Sequence, residues 1–172
     1  HVTAAVYRTI RAVTGAVGSG VDALLGSLEP LVRAVPDTPR RDTLVAALNG
    51  VLGDHLESTG NPLAIRMHLR TGGEALDLAP RAIERRFAKP STTVVVAVHG
   101  LCMSDRHWRR DGHDHRDVLA RALKADVLSL RYNTGLHVST NGRALAALLG
   151  ALVEAWPVRV ERLVVVGHSM GG

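Results

Sequence analysis

Uninterrupted apolar runs mark the strands of this chain. Thr92-Thr93-Val94-Val95-Val96-Ala97-Val98 and Leu163-Val164-Val165-Val166 are rich in β-branched residues and lack polar alternation, the pattern of strands buried on both faces of a parallel sheet. Val127-Leu128-Ser129-Leu130 predicts a shorter strand. From Pro62 the period is two: Leu63, Ile65, Met67 and Leu69 alternate with Ala64, Arg66, His68 and Arg70, which predicts a strand with one wet face and His68 at the surface. Thr71-Gly72-Gly73 can turn the chain, and residues 74–78 can return as the second strand of a hairpin.

Helical spacing fills the intervals. Val6, Ile10, Val13, Val17, Val21, Leu24 and Leu28 form one apolar stripe, weakened by Gly18 and Gly20. Pro30, Pro36 and Pro39 mark a loop. A second helix follows, with Asp42 as its expected N-cap, Leu44, Val45, Leu48, Val51, Leu52 and Leu56 on one face, and Gly60-Asn61-Pro62 as its stop. Residues 80–87 read as a short basic helix or loop. Residues 114–125 predict a helix with Val118, Leu119, Ala122 and Leu123 inward. The last helix has Thr140 or Asn141 as cap, a face of Leu145, Leu148, Leu149, Leu152 and Trp156, and Pro157 as its stop.

Strands alternating with helices from residue 92 onward imply an α/β fold with parallel strands joined by crossover helices, entered through the hairpin. Two regions follow: a helical segment over 1–60 and an α/β region over 61–172. The first helices serve either as packing against the remainder or as a lid or lipid-surface contact. Because the chain starts at His1 and stops inside a motif, it is expected to be a piece of a longer protein. A signal peptide can therefore be neither found nor excluded.

Composition narrows the chemistry. Apolar residues make up 46% and charged residues 22%, ordinary values for a globular chain. The formal charge is +5, yet the arginines are scattered and no basic run is interleaved with aromatics, so nucleic acid is not an expected partner. Lys89 and Lys124 are the only lysines, a bias consistent with a GC-rich bacterial source. Cys102 is the single cysteine, so no internal disulfide and no cysteine metal cluster can form. His107, His113 and His115 cluster in sequence without a completing carboxylate or cysteine spacing, so no metal is expected there. No cofactor motif is found.

The strand signature at Leu163 runs directly into Gly167-His168-Ser169-Met170-Gly171-Gly172. A Gly-x-Ser-x-Gly in that context is the pattern of a nucleophile elbow. The serine sits on a sharp strand-to-helix turn, and the positions two before and two after it need residues without a Cβ, here Gly167 and Gly171. The other long strand ends in His99-Gly100-Leu101. A backbone N–H there can face the serine, so Leu101 and Met170 are the expected oxyanion donors. His99 is expected to brace that loop rather than act as a base, and Cys102 to be a small loop residue.

Through these motifs the chain, over about residues 62–172, resembles the α/β-hydrolase superfamily and within it the bacterial lipase/esterase-like group. Asp105-Arg106-His107-Trp108 and Arg131-Tyr132-Asn133-Thr134-Gly135 resemble segments of that group less specifically. The resemblance implies a partial α/β-hydrolase fold preceded by the helical segment. It implies Ser169 as nucleophile, Leu101 and Met170 as oxyanion donors, and His99, Gly100, Gly167, His168 and Gly171 as support. It also implies a small-molecule or lipid ester as substrate, with the triad acid and histidine after residue 172, so that this segment alone is inactive. Acyl transfer or amide hydrolysis on the same fold, and a non-catalytic protein docking on a lipid or polyester surface through the first helices, are the alternatives. A cytoplasmic place is favoured.

Overall fold

The computed structural model describes residues 38–172, together with the isolated Gly20 and Gly26. The helix expected over residues 6–28 lies outside the described residues. Five strands form one mixed sheet: β1 (His68–Thr71), β2 (Glu74–Ala75), β3 (Thr93–Val98), β6 (Asp126–Arg131) and β7 (Arg162–Gly167), in the order β2-β1-β6-β3-β7. The central β3 pairs in parallel with β6 and with β7, while β1 runs antiparallel to both β6 and β2. A separate hairpin joins β4 (Arg109–Arg110) and β5 (His113–Asp114). The mixed α/β architecture follows the alternation of strand and helix patterns.

Residues paired across a parallel ladder share a face, so Val94 and Val96 of β3 lie beside Asp126 and Leu128 of β6 on one side and Leu163 and Val165 of β7 on the other. Helix α4 (Val138–Ala155) covers this face with Leu145, Leu148, Leu149 and Leu152, while Trp156 and Ile83 of α2 (Pro80–Arg86) close its end. The whole of β3 is buried, as its sequence requires. The β7 strand is not buried on both faces: it forms the edge of the sheet among the described residues, and Leu163 and Val165 are 37% and 47% exposed. Helix α4 stops short of it. An apolar run specifies a strand that wants cover, and the sheet order decides whether it has it.

Four other expectations shift. The strand expected over residues 62–70 is extended only from His68, because Leu63, Ala64 and Ile65 pack against helix α1 (Pro39–Ser58) instead. Asp42 does not cap α1: Thr38 does, its Oγ1 accepting the Arg41 N–H at 3.3 Å with Pro39 opening the first turn. Helix α3 (His115–Leu123) meets the opposite face of the sheet through Arg116, whose Nη1 donates to Ser129 Oγ at 3.3 Å. Its sheltered stripe is Arg116, Leu119, Ala120 and Leu123, one rotational step from the expected one, and Val118 and Ala122 are exposed. The cap of α4 is His137, whose side chain accepts the Ser139 N–H, rather than Thr140 or Asn141.

Helix α1 lies across the tips of β3 and β6. Asn133, just after β6, donates from Nδ2 to Gly53 O at 2.9 Å, and α1 kinks at the preceding Leu52. Among the described residues no helix is long and apolar enough to cross a membrane.

Candidate active site

At the end of β7 the chain turns so sharply that Ser169 has φ 55, a left-handed conformation disfavoured for a residue with a Cβ. One turn of 3₁₀ helix follows over Ser169–Gly171, with the Gly171 N–H donating to His168 O and the Gly172 N–H to Ser169 O, both at 3.0 Å. The bend brings the chain onto itself and onto β3. A Cβ on Gly167 would lie 2.6 Å from the Gly171 carbonyl carbon, and one on Gly171 would lie 2.6 Å from Val98 O. Neither backbone could move away, because the His168 N–H donates to Val98 O at 3.0 Å and ties the turn to β3. The two glycines are therefore required by close approach, the reason the spacing suggested.

The β3 loop lies directly beside this bend. A Cβ on Gly100 would stand 3.0 Å from Ser169 Cβ and 3.2 Å from His168 Nδ1. After Gly100 the chain makes a four-residue turn closed by the Met103 N–H donating to Gly100 O at 3.2 Å, with Cys102 in its third position at φ 57. Gly100, the neighbour of Leu101, thus stands against Ser169, the neighbour of Met170. Among the described residues neither the Leu101 nor the Met170 N–H meets a hydrogen-bond acceptor, and Ser169 Oγ has no partner. The Leu101 side chain is 49% exposed, whereas Met170 packs onto the core beneath α4. His168 is exposed at the same rim.

His99 sits at the base of the β3 loop, 1% exposed. Its ring lies 4.6 Å from that of Tyr132, and Nδ1 donates to Gly100 O at 3.1 Å, so that Nε2 carries the lone pair and has no partner. Burial holds its pKa down at about 4 and the ring stays neutral. Burial lowers His107 as well, whose Nδ1 accepts the Ser104 N–H at 3.0 Å. The Tyr132 phenol, pushed up to about 12 by burial, keeps the proton that it donates to His99 O at 2.7 Å. Cys102 is buried, and its thiol is raised by desolvation, away from nucleophilic thiolate character.

This histidine makes stability depend on acid. The unfolded chain takes up the His99 proton near pH 6.5, the folded chain only near 4. Stability present above 6.5 is therefore lost as pH falls through that window, by up to roughly 3 kcal/mol. Urea unfolding at pH 7 and pH 4.5 should show this loss in the wild type and a smaller one in His99→Gln; equal losses would remove His99 as its source.

Several supporting groups escape a linear reading. Asp42, Asp105, Arg70 and Arg131 form a mostly buried ionic cluster, with Arg106 joining Asp42 at its rim. One signal is present: Asp42 stands in register with the buried, mostly apolar stripe Val45, Asn49, Leu52 and Leu56, where a carboxylate needs a partner. Beside the cluster lies an open hollow of about 900 Å³ walled by Arg41, Glu57, Arg66 and Arg131 among others. Ser169, Leu101 and Met170 are not in its wall, so its size has no bearing on the serine. His113 and His115 stack edge to face at 5.1 Å, and no group of three metal-ligating side chains converges among the described residues.

No protein-family model, no curated protein and no solved structure matches the chain.

Proposed function

We propose that this chain carries the nucleophile and the oxyanion donors of a serine hydrolase of α/β-hydrolase type acting on carboxylic esters. The observation that supports it most is the strained Ser169, at φ 55, between the unoccupied N–H groups of Leu101 and Met170. Strain of this kind persists only where surrounding structure imposes it, and here it presents a hydroxyl at a sheet edge beside the Gly100–Leu101 loop. Ser169 Oγ attacks the ester carbonyl carbon, and the carbonyl oxygen becomes an oxyanion held by the two N–H groups. Collapse expels the alcohol and leaves an acyl-serine, which water hydrolyses to the acid.

The serine must lose its proton to a base during attack, and none of the described residues hydrogen-bonds Ser169 Oγ. The base and its orienting acid are proposed to follow residue 172, in the order acid then histidine that the resemblance implies. His99 does not serve: Nε2, which carries its lone pair, is buried without a hydrogen bond to Ser169 Oγ, and burial holds the ring's pKa at about 4, a weak base.

Two measurements test this. The complete protein should react with a fluorophosphonate probe at Ser169 and turn over short-chain p-nitrophenyl esters. Residues 1–172 alone should release p-nitrophenol no faster than their own Ser169→Ala variant. An unlabelled Ser169 in the folded complete protein would remove the hydrolase reading; serine-dependent turnover by the segment would remove the downstream base. Product analysis with added alcohol separates hydrolysis from acyl transfer.

A further inference from the structure

Gly100 places a hinge beside the proposed donor. It must lack a side chain, since a Cβ on it would stand 3.0 Å from Ser169 Cβ and 3.1 Å from His168 O. The same absence leaves its two backbone torsions freer than those of any other residue type. Those torsions join the His99–Gly100 peptide to the Gly100–Leu101 peptide, and the second of these carries the Leu101 N–H. Unless both peptides are held from outside, the donor swings. A side chain holds each of them.

The Gly100–Leu101 peptide is held through its carbonyl. Gly100 O accepts the His99 Nδ1–H at 3.1 Å and the Met103 N–H at 3.2 Å. A trans peptide is planar with its N–H opposed to its C=O, so fixing Gly100 O also fixes the line along which the Leu101 N–H points. That line leads away from the His99 and Met103 donors, and among the described residues no acceptor meets it. The His99–Gly100 peptide is held in the same manner, because His99 O accepts the Tyr132 O–H at 2.7 Å. Tyr132 stands 33 residues away, just beyond β6, and its ring also rests on that of His99, with 4.6 Å between centroids.

Filling space does not account for the histidine. A carbonyl oxygen only accepts, so the contact with Gly100 O puts the ring proton on Nδ1 and leaves Nε2 an acceptor, buried with no partner. An unpaired buried acceptor is destabilising. Leucine would occupy the site without stranding a nitrogen; what it could not supply is the Nδ1–H.

We infer that His99 and Tyr132 are positioning residues for the proposed oxyanion donor: they clamp the two peptides on either side of Gly100 and so set the direction of the Leu101 N–H. The inference rests on the reading of Ser169 as nucleophile and of the Leu101 N–H as a donor. Neither side chain has to touch the substrate.

The experiment uses the complete protein and short-chain p-nitrophenyl esters. His99→Leu removes the Nδ1–H. It should lower kcat roughly 10- to 100-fold, a range set by the displacement of one donor, while KM changes by less than about threefold. His99→Asn carries an amide nitrogen as far along the side chain as Nδ1 and should recover most of the loss, to within about fivefold of wild type. Tyr132→Phe removes one oxygen, keeps the ring, and should lower kcat roughly 3- to 10-fold. Rates of Ser169 labelling by the fluorophosphonate probe should fall in the same order, because attack at phosphorus also builds charge on an oxygen that the donors hold. Urea unfolding identifies any variant that is unfolded, and Tyr132→Phe decides the matter if His99→Leu is.

Wild-type kcat in folded His99→Leu or in Tyr132→Phe would overturn the inference. So would equal losses in His99→Leu and His99→Asn, or losses that fall on KM instead of kcat. A wild-type protein that does not react with fluorophosphonate sinks the nucleophile reading, and this inference with it; a reactive wild type with indifferent variants sinks the inference alone.

Discussion

On the proposed hydrolase reading, replacing Ser169 with alanine is expected to lower ester turnover by the complete protein by roughly 10⁶-fold, because a nucleophile cannot be substituted by its neighbours and the residual rate would come from the proposed oxyanion donors and binding alone. The same position gives a second, independent result. Ser169 has φ 55, and a Cβ in that region costs roughly 1–2 kcal/mol. Alanine retains the Cβ and hence the strain; glycine does not. Ser169→Gly should therefore be inactive yet more stable than Ser169→Ala by about 1 kcal/mol, after allowance for the greater freedom of glycine in the unfolded chain. Steady-state assays and urea unfolding of the two variants measure both quantities. Retention of more than about 1% of wild-type kcat by Ser169→Ala would rule out the nucleophile. Glycine less stable than alanine would mean that the bend is not strained in solution.

The pieces that were legible in the sequence are those specified by near neighbours. The run Val94-Val95-Val96-Ala97-Val98 declares a buried strand, and the strand is buried throughout. The face of α4 follows from Leu145, Leu148, Leu149, Leu152 and Trp156, which all pack on one core. Gly167 and Gly171 bracket Ser169 for a reason of steric distance that a five-residue pattern already contains. What was hidden depends on contacts far along the chain. Nothing around Val165 states that β7 is an edge, since that is a property of strand order. Val118 and Leu119 are equally apolar, and only docking through Arg116 onto Ser129 decides which of them turns outward. Thr134, 32 residues from Cys102, could not be tied to the β3 loop by any local pattern. Asp42 reads locally as a cap because a carboxylate near a helix start usually is one; its partner Arg131 lies 89 residues away.

That distant pairing leads to the largest expected loss of stability. Asp105 is 1% exposed and accepts Nη1 of Arg70 and Nη1 of Arg131, each at 3.2 Å; Asp42 accepts Nη2 of Arg131 at 3.3 Å and also Nε of Arg106. The cluster ties α1 and the 3₁₀ turn Asp105–Trp108 that follows the β3 loop to the paired strands β1 and β6, links that no backbone ladder makes. Burying such a group gains little over well-packed apolar residues, but breaking it strands a charge. Asp105→Asn is therefore expected to lose about 3–5 kcal/mol, a large share of the 5–15 kcal/mol by which domains are stable. Arg106→Gln, at a rim where the arginine is 39% exposed, should cost less than about 1 kcal/mol. After Asp105→Asn, Arg131 still faces Asp42, whereas Arg70 has no other ion-pair partner among the described residues. Adding Arg70→Met to Asp105→Asn should then recover stability rather than remove more, because the penalty belongs to the stranded guanidinium. Urea midpoints at constant m-value measure these three variants and Arg70→Met alone. A double variant as unstable as the sum of its parts would show that the two side chains do not communicate, and that the pieces of the fold around the β3 loop are held by packing alone.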